Sequence, residues 1–396
     1  MTPGALLTPE AVRASAQAML ALARADALPG WTLHEDHLGP VADFVAATVR
    51  TAYPDLQVPL HARWRHFAAG GRDRWAGLAA RHDAERHARA RAAFDVAIVS
   101  VLLDAGAGPD WRYADDDGTL LARSEGLAIA SLAMLASGAF AEDRRSLRAD
   151  AARLATITAD DLARGFQVGP GNPLVGLDGR AALLCRLGEA VAASPDIFAR
   201  HERPRPGGLF DLLADGAKGG VLPAREILVA LLHHLGPIWA AREVLDGVAL
   251  GDCWHHPALG LVPLHKLSQW LAYSLVEPLQ EAGITVTGLD ALTGLAEYRN
   301  GGLFVDLGVL RLRDPADESH PHAVGDPLVV EWRALTVALL DELLPLVRER
   351  LGVPAEDFPL ACLLEGGTWR AGREAARARR ADASPPLRII SDGTVF

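Results

Sequence analysis

Three segments in the C-terminal half of the chain combine residue types and spacings that can do chemistry. The first is Leu264-His265-Lys266-Leu267-Ser268-Gln269-Trp270, opened by Pro263. At helical spacing Lys266, Trp270 and Tyr273 share one face, and His265 and Gln269 share the adjacent one. A lysine beside aromatic rings can hold a phosphate. The alternative is a lysine whose stem lies along a core helix while its ammonium reaches water. The second segment runs from Leu292 to Gly302 and sets Glu297, Tyr298, Arg299 and Asn300 just ahead of Gly301-Gly302. An acid, a phenol, a guanidinium and an amide before a Gly-Gly loop suit a ligand site, because glycine lets the backbone approach closely. The alternative is an ordinary ion pair between Glu297 and Arg299. The third is Glu331-Trp332-Arg333, at the start of a helix that is apolar on nearly every side from Leu335 to Leu340. Residues two apart project to opposite sides of a helix. Burying both charges therefore needs partners on two sides, with Arg299 or Lys266 expected opposite Glu331, for chemistry or only to organise the core.

Other chemistries find little support. Cys253, His255 and His256 have no standard zinc spacing and no second ligand pair, so no metal or other cofactor is expected. Gly106-Ala-Gly-Pro and Gly366-Gly367-Thr368 lack the phosphate-loop form GxxxxGK[ST], and no G-x-S-x-G nucleophile turn occurs. Ser124 before Glu125 reads most simply as a helix cap.

The elements that must position these residues are helical almost throughout. Periodicity and caps predict helices near 8–25, 84–104, 125–137, 149–165, 179–193, 224–235, 264–280 and 328–350. Short strands are expected at Val286 and its neighbours, Phe304 to Leu312, and Arg388 to Ile390. The Pro/Gly-rich stretch Arg203 to Gly208 reads as a linker. It divides the chain into an N-terminal helical lobe, 1–202, and a C-terminal lobe, 203–396, that carries the chemistry, or joins two parts of one domain. The basic block Asp73 to Arg91 reads as a solvated helix face.

Half of the 396 residues are apolar, enough for a large core. A net charge of −11 and a pI near 5.7 argue against nucleic-acid or anionic-membrane partners, though not against a local phosphate pocket. Cys185, Cys253 and Cys362 form no CxxC pair, which fits a reducing compartment. The N-terminus lacks the basic start and apolar run of a secretory signal, and Leu127 to Phe140 is too short to span a bilayer. A cytoplasmic location is expected.

Several segments resemble the uracil-catabolism protein family of the fungal and bacterial URC pathway. They are Val58 to Phe67 (VPLHARWRHF), Val99 to Gly108 (VSVLLDAGAG), Arg123 to Leu127 (RSEGL), Asn172 to Arg180 (NPLVGLDGR), Leu292 to Phe304, Leu364 to Trp369 (LEGGTW) and the end Ser391 to Phe396 (SDGTVF). The resemblance covers nearly the whole chain and names no reaction by itself. More distantly, the C-terminal half resembles the queuosine-salvage nucleosidases, which cleave the N-glycosidic bond of a nucleoside 5′-phosphate. Their order of a Lys-x-x-Gln helix, a Leu-Thr-x-Phe-Ala-Asp-Tyr-Arg loop, Leu-Gly-Val-Leu and Glu-Ile-Arg is matched here. The matching residues are His265-Lys266-Leu-Ser-Gln269, Leu292 to Arg299, Leu307 to Leu310, and Glu331-Trp332-Arg333. Glu297 replaces that family's aspartate, and Asn300-Gly301-Gly302 replaces its Val-Pro-Gln. The resemblance implies a helical fold similar to helix-hairpin-helix DNA glycosylases and a different base pocket.

Read with that resemblance, Glu297 suits a carboxylate that stabilises an oxocarbenium-like state and activates water. Lys266, Arg299 and Arg333 suit phosphate binding or charge pairing. Tyr298, Trp270 and Trp332 shape the pocket, Asn300 and Gln269 bind substrate, and Glu331 is a second acid or the partner of an arginine. The expectation is hydrolysis of ribosylurea or its 5′-phosphate to urea and ribose or its phosphate. The rivals are hydrolysis of the ureide amide and a non-catalytic binding or scaffold protein for other enzymes of the pathway.

Overall fold

The structure, a computed structural model, describes residues 2–81, 85–104, 106–200, 202–239 and 243–390. It is mainly helical, and the strands among the described residues form two-stranded ribbons. The chain divides into two compact units that are discontinuous in sequence. One comprises Met1–His61, Arg242–Gln269 and Gly288–Ser391, and the other Ala62–Ala241 and Trp270–Thr287. Position 202/203 lies inside the second unit. Arg203 to Gly208 is no linker: Arg205, Pro206, Gly207 and Gly208 are buried. The buried carboxylate of Asp95 accepts Arg205 Nε at 2.9 Å and Gly207 N at 2.6 Å. A Cβ on Gly208 would lie 2.6 Å from Phe198 O. The glycines therefore serve close packing rather than flexibility.

The first unit is built on the helix Pro327–Leu351, which packs against Pro9–Arg24 and Leu38–Ala52. Val329 to Leu340 are buried on every side, which accounts for the helix's lack of a polar face. Thr8 caps Pro9–Arg24 by accepting Ala11 N at 3.1 Å, with Pro9 in the first turn as expected. In the second unit Arg86–Leu102 packs against Arg123–Ala136, where the apolar run from Leu127 is buried core. No described helix is long and apolar enough to cross a membrane.

Several local expectations change. The 149–165 helix is two short helices, Ala151–Leu154 and Ala159–Gly165, the second opened by a capping box of Thr158 and Asp161. Leu38–Ala52 was not anticipated. Ser124 is not a cap: it lies inside Arg123–Ala136 and gives its hydroxyl to Asp104 Oδ1 at 3.0 Å. Phe304 continues the helix Tyr298–Asp306, and only Leu310–Leu312 is strand, paired with Trp31–Leu33. Arg388–Ile390 is a strand as expected, parallel to Pro321–Ala323, whereas the terminal Ser391 to Phe396 motif lies outside the described residues.

Candidate functional site

The hairpin Cys253–His256/Gly260–Pro263 sets Asp252 at the start of its first strand and leads into the helix Lys266–Glu281. Asp252 ties the region together. Its Oδ1 accepts Trp254 Nε1 at 2.7 Å and Arg333 Nη1 at 2.8 Å; its Oδ2 accepts Arg333 Nη2 at 2.8 Å and the backbone N–H of Lys266 at 2.9 Å. Its carbonyl takes Leu264 N and His265 N. A carboxylate distant in sequence thus satisfies a first-turn amide that a helix leaves without an internal partner. Burial alone would raise the Asp252 pKa, but the Arg333 guanidinium, the Trp254 indole and the Lys266 amide hold it well below the usual carboxylate range. Arg333 extends Nε to Ala296 O at 3.2 Å, fixing the chain immediately before Glu297.

Glu297 is the N-cap of Tyr298–Asp306. Its Oε2 accepts Arg299 N at 2.8 Å and its Oε1 accepts Asn300 N at 2.6 Å. The negative charge sits against the positive end of a helix, held by two backbone donors. This replaces the alternative of a loop ion pair with Arg299. The Arg299 guanidinium instead donates to Ala383 O at 2.8 Å and lies 4.9 Å from the centre of the half-buried Tyr298 ring. Gly301 and Gly302, expected in a loop, are helical and buried. A Cβ on Gly301 would lie 2.7 Å from both Thr336 Oγ1 and Trp332 Nε1, so this glycine serves helix packing rather than ligand approach.

Glu331 projects to a different side of the central helix from Arg333 and is fully buried. Its partners are His256 Nε2 at 3.2 Å and Gly30 N at 3.2 Å, and neither Arg299 nor Lys266 takes that place. Ala258 N donates to His256 Nδ1 at 3.3 Å, so Nε2 carries the ring proton and directs it to Glu331. Burial raises the Glu331 pKa, against the opposing pull of His256. Between the two charged residues, Trp332 stacks on Trp31 with ring centres 6.3 Å apart.

The structure therefore gathers Lys266, Gln269, Glu297, Asn300 and Arg333 around Asp252 and the segment Thr293–Ala296. Gln269 Oε1 accepts Thr293 N at 3.3 Å, and Asn300 Nδ2 donates to Leu295 O at 3.2 Å. Trp270 belongs to the second unit, where its ring lies 5.5 Å from the Arg63 guanidinium and 5.7 Å from the His66 ring. The Cys253/His255/His256 set does not form a ligand shell. His256 is engaged as above, His255 is exposed, and burial pushes the Cys253 thiol up to about 12.

Asp252 escaped the sequence reading because an isolated Gly-Asp before a short strand has no motif. A second polar cluster was also missed, although its segments stood out. Glu365 lies in a π-helical turn, Leu363–Thr368, a distortion that often accompanies functional sites. It meets His61 Nδ1 at 2.8 Å and accepts the Tyr53 hydroxyl at 3.3 Å. Burial, then the Glu365 charge, raises the Tyr53 phenol. In the second unit, Arg63 is buried between Ser100, Asp104 and Ser124, joining the segment of His61 to two more of those segments.

Fold and site together define a mainly helical protein with a buried, carboxylate-rich polar centre assembled from three separated segments. A family model described as "Protein of unknown function (DUF1688)" matches residues 5–396, and the chain belongs to that family. It is 39% identical to "Protein urg3" of Schizosaccharomyces pombe across 100% of this chain and 99% of that protein. It is 37% identical to "Uracil catabolism protein 4" of Lachancea kluyveri across 90% of each.

Proposed function

We propose that the protein acts in uracil breakdown as an N-glycosidase, hydrolysing ribosylurea or its 5′-phosphate to urea and ribose or ribose 5-phosphate. The name of the Lachancea relative supports the process, and the resemblance to the queuosine-salvage nucleosidases supports the reaction. That resemblance also carries the proposal of a helix-hairpin-helix glycosylase-like arrangement. The observation that carries the reading is the anchoring of Glu297. Both its oxygens are fixed by backbone N–H groups at a helix start, on a segment held to Lys266 through Asp252 and Arg333 and to Gln269 through Thr293.

In this reading the C1′–N bond breaks as positive charge develops at the anomeric centre. The Glu297 carboxylate, already in place, stabilises that charge without reorganisation. It also accepts a proton from the attacking water, whose oxygen bonds to C1′, and that proton passes on to the departing nitrogen, which returns Glu297 to the carboxylate. Arg333 is bound to Asp252 on both terminal nitrogens, so it organises the site rather than binding phosphate. Lys266 is assigned to a 5′-phosphate when one is present. Glu331 with His256 is the second acid–base pair, its carboxyl raised toward the protonated form. The reaction needs no cofactor, and the partners are small nucleoside-derived molecules.

The test is incubation of purified protein with ribosylurea and with its 5′-phosphate, following urea and reducing sugar. Release of both in equal amounts supports the reading. Carbon dioxide and ammonia would identify a ureide amide hydrolase instead, and tight binding without turnover a scaffold for other enzymes of the process. Cleavage of uridine 5′-phosphate alone would keep the glycosidase and change the substrate.

A further inference from the structure

Gln269 and Asn300 are buried to 0% and 1% exposure, and each leaves one polar atom without a hydrogen-bond partner: Gln269 Nε2 and Asn300 Oδ1. The orientation of each amide is fixed by the bond that its other end makes. Gln269 must present Oε1 to the Thr293 N–H, and Asn300 must present Nδ2 to the Leu295 carbonyl. The two unsatisfied atoms are therefore a defined donor and a defined acceptor, and they flank the same buried stretch, Thr293 to Leu295. An unmet buried donor or acceptor is costly, and folded proteins leave few of them. Two of opposite sense beside one segment call for a ligand that supplies the complement.

The complement of a carboxamide N–H and a carboxamide oxygen is a group carrying a carbonyl and an N–H side by side. Asn300 also gives its backbone N–H to Glu297 Oε1 at 2.6 Å, so its side chain stands within one helical turn of the candidate catalytic carboxylate. We propose that Gln269 Nε2 and Asn300 Oδ1 form the ureide subsite, the first donating to the carbonyl oxygen of the leaving group and the second accepting from its N–H. The choice of ligand rests on the glycosidase reading above; the existence of the subsite rests on the two orphaned atoms. Held this way, the urea fragment leaves with its carbonyl oxygen already hydrogen-bonded, which helps it carry charge as the C–N bond breaks.

Gln269→Glu is the cleanest perturbation, because it keeps the acceptor for Thr293 N–H and replaces only the donor. Asn300→Ala removes the acceptor. The probes are N-methylurea as an inhibitor carrying the ureide alone, ribose 5-phosphate as an inhibitor carrying the sugar alone, and turnover of ribosylurea. Inhibition by N-methylurea is expected to weaken about tenfold or more in each variant, the loss of roughly one buried hydrogen bond. Inhibition by ribose 5-phosphate is expected to hold within about twofold, and thermal unfolding verifies that each variant is folded. If one variant fails to fold, the other carries the test. Unchanged N-methylurea inhibition in a folded variant overturns the subsite, as does equal weakening of both inhibitors. The two readings can fail separately. A wild-type protein that cleaves ribosylurea with both folded variants unaffected keeps the glycosidase and loses the subsite. Gln269-dependent binding of N-methylurea without any N-glycoside turnover keeps the subsite and loses the glycosidase.

Discussion

The Asp252–Arg333 pair is the joint on which the site's geometry depends, and its removal has a calculable cost. Arg333 is 1% exposed and Asp252 5%, and the carboxylate accepts four donors. Asp252→Asn keeps the shape, removes the charge and turns an amide N–H toward the guanidinium. Breaking a buried ion pair by changing one partner costs about 3–5 kcal/mol, because the other charge remains buried. At roughly 2–4 °C per kcal/mol for a domain of about 200 residues, unfolding of the first unit should fall by on the order of 10 °C. The assay is thermal and urea unfolding of wild type, Asp252→Asn, Arg333→Met and the double variant. The double variant should be less destabilised than the sum of the singles by about 2 kcal/mol or more, since Arg333→Met removes the cation that the first change strands. The pH dependence has a definite sign. A carboxylate with a depressed folded-state pKa contributes stability that is present above its unfolded value, near 4, and lost only as pH falls through the lower folded one. The Asp252→Asn penalty should therefore be flat between about pH 5 and 8. Additive single variants, or a penalty under about 1 kcal/mol, would refute a buried and mutually dependent pair.

Other outcomes follow from the same geometry. Glu297→Gln should lower kcat about a hundredfold or more while ground-state binding changes little, and should cost about 1 kcal/mol of stability because only one amide oxygen remains to cap the helix. A near-wild-type kcat would move the chemistry to Glu331. Because the folded pKa of Glu331 is raised, its ionisation opposes folding as pH climbs above about 4.3. The stability of Glu331→Gln relative to wild type should thus improve as pH rises in a thermal-unfolding series, and a falling difference would contradict that direction. Gly301→Ala should destabilise by about 1–3 kcal/mol despite alanine's better helix propensity, since its Cβ meets Thr336 and Trp332 at 2.7 Å; a stabilised variant would mean the helices yield easily. Chelator treatment should leave turnover unchanged, and one tightly held zinc per chain whose removal abolishes activity would overturn that expectation.

What the sequence determined by itself was local. A helix apolar all round at Leu335 to Leu340 had to be central, and the Thr8-Pro9 start and the periodicity of most other helices were written within a few residues of each site. The cluster of Lys266, Gln269, Glu297, Asn300 and Arg333 was legible as chemistry-bearing types in order. Its wiring was not. Glutamate is not a favoured N-cap and Gly-Gly reads as a break, so the Glu297 helix start read as a loop until Trp332 and Thr336 were seen to require glycine at 301. The pairings Arg333–Asp252, Glu331–His256 and His61–Glu365 join residues 81, 75 and 304 positions apart. Only the tertiary structure decided them, because a charge pair depends on the register of a hairpin and the rotation of a packed helix. An isolated aspartate or histidine carries no periodic or capping signal that would announce its partner.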